Sequence, residues 1–380
     1  MSTPHAGVDD RLARVKLSSV IEPGDLRVTG LVGELGAGKV LDYLEAAGEV
    51  ENHWGFTIGH ELAHVDPGKV LEQAAGRGIR FVIPGDTEWP DQLAGLRAAG
   101  ALYERGGEPI GLWVRGAADL HQLAANAVAV VGSRAATDYG THQATELSRD
   151  LAAMGHTVVS GLAYGVDQAA HRGALLAGGP TIAVMPCGAD RPYPAAHAQL
   201  LEAIADRGLV VAEAPPGTAP TRGRFLARNR IVAGLSEGTV VVEGAFRSGA
   251  LTTAQWTNAL HRPVMGVPGP VTSAASAGVN QLVRLGQASM VTNAQEIITD
   301  LTTDTYSTTV AAAQLDESFI PGPVRSAQSH IPGPPTRPSP LGVDGPPEPL
   351  WITGLAPVRP PTLLRVPRSA RRRRTRRRHR

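Results

Sequence analysis

Residues 126–133 read NAVAVVGS. Ala127 to Val131 are apolar without a break, and Gly132-Ser133 ends the run. A strand with one face in water alternates apolar and polar residues, whereas an unbroken apolar strand is covered on both faces. Working outward, HTVVSG (156–161), PTIAVMP (180–186), GLVVAE (208–213), GTVVVEG (238–244) and RPVMGVPG (262–269) repeat the pattern. Each is rich in valine or bounded by Gly or Pro, and stretches such as THQATELSRDLAAMG (141–155) and ALTTAQWTNALHR (250–262) carry helical spacing between them. Strands alternating with helices from Ala125 to about Leu301 predict the α/β class, with a doubly wound Rossmann-like parallel sheet.

The flanks differ. Residues 1–75 show short helical periodicities, VLDYLEAAG (40–48) and KVLEQAAG (69–76), broken by Gly and Pro, and form an N-terminal helical module. From GIRFVIPGDTEWPDQLAGL (78–96) to GLWVRG (111–116) short strands and polar turns open the extended α/β domain, residues 76–301. Residues 302–380 turn Pro-rich and end in RSARRRRTRRRHR (368–380). Such a tail buries too little apolar surface to offset its ordering entropy, so it is expected to be disordered.

The net charge of +1 hides an asymmetry, because without the nine arginines of 368–380 the chain has 27 basic and 35 acidic residues, a net charge of −8. A polyanion bound by the acidic body is therefore held by a local basic patch. No apolar run reaches the length of a membrane span and no signal-peptide pattern opens the chain, so a cytoplasmic protein without membrane contact is expected. The single cysteine, Cys187 in AVMPCGAD, forbids an internal disulfide and has no evident base partner.

Two short motifs tempt toward other chemistry. His60-Glu61-Leu62-Ala63-His64 is an H-E-x-x-H, which on a helix sets two imidazoles on one face for zinc. Gly59 precedes it, Pro67-Gly68 closes the helix, and Pro67 and Val70 fill the last two key positions of the extended zincin pattern, so no metal site is expected. GELGAGKV (33–40) approximates a P-loop, but Val40 replaces the magnesium-binding hydroxyl and no convincing strand precedes it. A turn before a helix is expected there, and no cofactor.

Ligands of an open parallel sheet bind outside the carboxyl ends of its strands. Those ends hold Gly132-Ser133-Arg134, then the turn framed by Gly161 and Gly165, then Arg247-Ser248-Gly249, all suited to anions at helix starts. After Glu213 comes TRGRFLARNRIVAGLS, in which Arg222, Arg224, Arg228 and Arg230 surround Phe225. Guanidinium groups tracking phosphates beside a ring on which a base stacks suit single-stranded nucleic acid. An amphipathic helix with Phe225 in the core and solvated arginines fits the same residues. Asp167 and His171, four apart on one helix, read as a general acid/base pair or as structural supports of the pocket. Glu243 is equally ambiguous, as a reactive carboxylate or as a partner of Arg228 or Arg230.

AVVGSRAATDYG, VVSGLAYGVDQAAHRGAL, TIAVMPCGADRPYP, FLARNRIVAGLSEGTVVVEGAFRSGALTTA and VMGVPGP resemble, in order, the motifs of the DNA-processing protein A (DprA/Smf) family over roughly residues 70–300. The resemblance implies a non-enzymatic protein that binds single-stranded DNA, helps displace single-strand-binding protein, loads RecA recombinase during natural transformation, and forms a homodimer. By motif, Arg134, the segment around Phe225, and Arg228, Asn229 and Arg230 would line or shape the DNA pocket. Val279, Leu282, Val283 and Leu285 of AGVNQLVRLGQA (277–288) would lie at the dimer and RecA surface. Tyr164 stands where many relatives have Arg, losing a phosphate contact and offering a ring, and His197 replaces a usual Asn. The tail stands where many relatives carry a winged-helix domain. The alternative class is a nucleoside-monophosphate phosphoribohydrolase of the lysine-decarboxylase-like group, whose P-G-G-x-G-T-x-x-E signature is missing from this sequence.

Overall fold

A nine-stranded sheet organises the computed structural model, which describes residues 8–47 and 55–303. The expectations for the tail from residue 304 onward lie outside the described residues. Five helices come first: α1 (Val8–Val20), α2 (Leu26–Leu35), α3 (Ala37–Ala47), α4 (Gly55–Ala63) and α5 (Pro67–Ala75). Then come β1 (Ile79–Val82), a small hairpin of β2 (Ala101–Leu102) and β3 (Arg105–Gly106), β4 (Leu112–Arg115) and α6 (Leu120–Ala124). The regular alternation opens with β5 (Ala127–Val131), α7 (Asp138–Ala153), β6 (Thr157–Ser160) and α8 (Val166–Leu176). It continues through β7 (Thr181–Met185), α9 (Ala198–Arg207), β8 (Leu209–Ala212) and α10 (Arg222–Gly234). The remainder is β9 (Gly238–Val241), α11 (Gly249–Ala259), β10 (Val264–Gly266), α12 (Ala277–Arg284), β11 (Ser289–Met290) and α13 (Ala294–Thr302).

All six valine-rich runs are strands of one sheet, in the order β1-β4-β8-β7-β6-β5-β9-β10-β11. From β8 through β11 the strands are parallel. β1 and β4, from the short strands that open the 76–301 domain, extend the same sheet antiparallel at the β8 edge. An antiparallel neighbour needs no crossover helix, which is why this edge carries no helical period. Alternate residues of β5 serve opposite layers. Ala127, Ala129 and Val131 pack toward α10 and α11, and Val128 and Val130 toward α7 and α8. That two-sided burial is the physical cause of the unbroken apolar run. The chain proceeds from β5 to β8 in one direction, then returns to lay β9 on the other side of β5.

The first helices gather around Leu17, Val28, Val40, Leu44 and Leu62. Arg11 docks them on the sheet side by pairing with Asp86 at 2.7 Å. GELGAGKV joins two helices, with Gly36 (φ 85°) ending α2, so no strand feeds this turn. In the H-E-x-x-H segment Leu62 is buried, while His60, Glu61 and His64 are exposed and α4 ends at Ala63. The His64 Nδ1 lies 2.7 Å from the His60 carbonyl oxygen.

The α12 expectation needs correction. Val279 is fully buried against Gly266, and Leu282 and Val283 pack on the same core, because the apolar stripe of this helix faces the sheet. Of the four residues expected at a surface, Leu285 alone is exposed, at 48%.

Candidate nucleic-acid interface

Beyond the carboxyl ends of the paired strands β5 and β9, where the strand order reverses, a cleft of about 820 Å³ opens. The loop after β5 supplies Gly132, Ser133 and Arg134, and the loop after β9 supplies Arg247, Ser248 and Gly249. Arg222, Phe225, Arg228 and Asn229 come from α10, Asp167 from α8, and Tyr193 from the loop after β7. Two helices begin at this cleft. Thr221 caps α10 by accepting the Arg224 N–H, and Ser248 caps α11 by accepting the Ala250 N–H, each at 3.3 Å. Their unpaired first N–H groups and dipoles favour an anion between them. Asn229 holds the two helices together, donating Nδ2–H to the Gly249 carbonyl at 3.2 Å.

The arginines divide sharply. Arg134 and Arg222 are exposed on the rim, Arg247 opposite them, and none of the three forms an ion pair among the described residues. Arg134 lies over the Phe225 ring, its guanidinium carbon 4.5 Å from the centroid. Arg228 is buried beneath, 6.0 Å from the same centroid, with no acid at ion-pair distance and its Nε without an acceptor among the described residues. Burial draws its pKa below the usual arginine value, against the counter-effect of nearby Asp167. An arginine stays cationic through any such shift, so the cleft floor holds a desolvated positive charge. Asp167 is the one carboxylate among the lining residues, and burial raises its pKa against the pull of Arg228.

Several expected site residues stand elsewhere. Arg230 does not reach the cleft. It is fully buried on the other side of α10, its Nη2 2.5 Å from Glu213 Oε1 and its Nε donating to the Gly106 carbonyl. Arg224 likewise points away, paired with Glu22 through Nη2 at 2.6 Å and Nε at 3.1 Å. The alternative of solvated arginines and a core Phe225 fails too, because Ala227 through Gly234 are all buried and Phe225 is only half-buried.

Gly161 and Gly165 do not line the cleft. A Cβ on Gly161 would overlap the Arg228 guanidinium, and Gly165 (φ 76°) lets the Ser133 carbonyl pass close by. They are packing glycines. His171 is no partner of Asp167. The Thr181 hydroxyl donates to the Val158 carbonyl and so accepts from His171 Nδ1–H at 2.7 Å, behind the cleft wall. Burial, with Arg228 and His197 nearby, lowers the His171 pKa to about 3.

Glu243 binds neither Arg228 nor Arg230. Its two oxygens accept the Thr137 N–H at 2.9 Å and the Thr137 hydroxyl at 2.6 Å, holding the residue that caps α7, and so are engaged within the fold. Cys187 is buried, and that burial pushes its thiol up to about 11, leaving it inert. Tyr193 was missed. Its one signal was a ring at a strand-end turn, in a chain where aromatics are 4% of residues.

Comparisons with known proteins converge on one group. A family model described as DNA recombination-mediator protein A matches residues 80–302. A putative DNA processing protein DprA from Mycobacterium tuberculosis is 46% identical over 292 residues, spanning 74% of this chain and 72% of that protein. DNA processing protein DprA from Streptococcus pneumoniae is 40% identical over 192 residues, 50% of this chain and 67% of that one. Its X-ray structure aligns with a TM-score of 0.63 at 30% identity, covering 77% of this chain and 98% of that chain. A structure of DNA processing protein A from Helicobacter pylori, described for its single-stranded DNA binding mode, aligns with a TM-score of 0.50 at 30% identity over 59% of this chain and 97% of that chain.

Proposed function

Because this chain belongs to the DNA recombination-mediator protein A family, we propose that it binds single-stranded DNA in the cleft at the carboxyl ends of β5 and β9 and loads a RecA-type recombinase onto that strand. The observation that carries the reading is Arg228, a buried and unpaired cation on the cleft floor, with Phe225 and three rim arginines above it. Phosphates meet Arg134, Arg222, Arg247 and two helix starts, while a base stacks beside Phe225. The lining chemistry serves binding, with no activated nucleophile and a single, buried carboxylate among the lining residues. A DNA-binding role in transformation accords with the single-stranded DNA binding described for the Helicobacter pylori relative.

The homodimer and the recombinase contact are proposed at the β11 edge of the sheet, where Leu285 and Met290 are exposed. Displacement of single-strand-binding protein would follow from competition for the same strand.

The deciding experiment is fluorescence anisotropy with labelled oligo-dT at two salt concentrations, using the full chain and a chain ending at Asp316, the limit of the first compact unit. Both bind the single strand in preference to duplex of equal length, and Arg134→Ala and Phe225→Ala each weaken binding by about 1–3 kcal/mol without altering the circular dichroism. Binding that vanishes on truncation would assign the activity to the arginine tail and refute the cleft.

A further inference from the structure

Large rings usually hide most of their area. Tyr193 and Tyr164 are 39% and 47% exposed, on two neighbouring strand-to-helix turns. The turns are bonded together, since His197 donates Nδ1–H to the Leu162 carbonyl at 3.1 Å. The His197 ring meets Tyr164 edge-on at 4.8 Å, and Tyr193, four residues earlier, meets Phe225 edge-on at 5.6 Å. An edge-to-face contact fixes a ring while occupying at most one of its two faces.

Neither tyrosine hydroxyl has a hydrogen-bond partner among the described residues, so it is the rings that are positioned. Leu162 sits at φ 55°, a conformation that L residues adopt only when their surroundings enforce it, and Tyr164 follows two residues later. The turn is thus held in a costly shape while it carries an exposed ring.

We propose that Tyr193 and Tyr164 form an outlying stacking surface for unpaired nucleobases, continuing the run of rings from Phe225 out of the cleft across the ends of β7 and β6. The inference rests on the reading that the cleft holds single-stranded DNA. It adds a direction of exit and a set of contacts of different character. Arginine contacts release counterions and weaken with salt, whereas stacking on a neutral ring does not.

The test uses the full chain with oligo-dT of about 6 and about 16 nucleotides, lengths that bracket the smaller and larger single-strand sites. Tyr164→Ala lowers affinity for the long oligonucleotide by about tenfold at both salt concentrations and leaves the short one unaffected. Tyr193→Ala, next to Phe225, lowers affinity for both lengths, and Tyr164→Phe retains wild-type affinity. Unchanged long-strand binding in Tyr164→Ala would overturn the proposal, as would a loss in Tyr164→Phe equal to that in Tyr164→Ala. Failure of the wild-type protein to bind the short oligonucleotide, or its insensitivity to Phe225→Ala, would instead overturn the cleft reading and this inference with it.

Discussion

Arg222, Arg224, Arg228 and Arg230 occupy one helix, and each meets different surroundings. Arg222 stands free on the rim, Arg224 is paired with Glu22, Arg228 is buried without an acid at pairing distance, and Arg230 is buried against Glu213. The sequence announced the cluster and could not sort it, because Glu22 is 202 residues from Arg224 and no local pattern encodes that meeting. Gly161 offers a direct probe of Arg228. The Cβ of Gly161→Ala meets the Arg228 guanidinium first, the end of a flexible side chain, and pushes it aside, so we predict a retained fold and roughly tenfold weaker single-strand binding, the scale of one charge-assisted hydrogen bond. Wild-type affinity in that variant would remove Arg228 from the site. A second prediction concerns His171, whose pKa falls from 6.5 to about 3 on burial. The unfolded chain binds this proton more readily, so the stability gained by keeping His171 neutral is complete above pH 6.5 and is lost as the pH falls toward 3. This group alone makes the protein roughly 2 kcal/mol less stable at pH 5 than at pH 7, with Asp167 opposing at the acid end. Urea melts of wild type and His171→Gln check it; equal pH slopes would refute the assignment.

At the level of elements, α10 presents the site and is itself held from every side. Arg262 caps its far end, Nη1 donating to the Ala233 and Gly234 carbonyls at 2.9 Å and to Ser236 at 2.6 Å. The Arg230–Glu213 pair ties its middle to the end of β8, with Gly24 leaving room beside the guanidinium. Losing one partner strands a buried charge, so Arg230→Met destabilises by roughly 3–5 kcal/mol, whereas Arg230→Met with Glu213→Leu recovers most of it. Denaturant midpoints decide this, and a mild effect of the single change would show that the pair is unimportant. The strands were readable because burial on both faces leaves an unbroken run such as AVAVV in β5. The buried arginines were not, since arginine normally signals surface and nothing in FLARNR shows that this helix is enclosed.

For the whole molecule, charge is arranged against its own average. The chain without residues 368–380 has a net charge of −8, yet four arginines converge on one opening. If each neutralises one phosphate, log Kobs for a single strand falls with log salt at a slope of about −3 in the chain ending at Asp316, and more steeply in the full chain. Titrations over several salt concentrations measure it, and a slope near zero would mean that the cleft arginines do not meet phosphates.

The cleft is also assembled late. Thr137 and Glu243, which lock its two sides together, are 106 residues apart in sequence, because β9 joins β5 only after β6, β7 and β8 have been laid down. A chain still emerging from the ribosome carries Arg134 on half a groove. With RNA all around it, the nascent polypeptide has no finished grip for a polyanion until β9 docks. The same topology that locates the candidate site therefore leaves it incomplete until β9 pairs with β5.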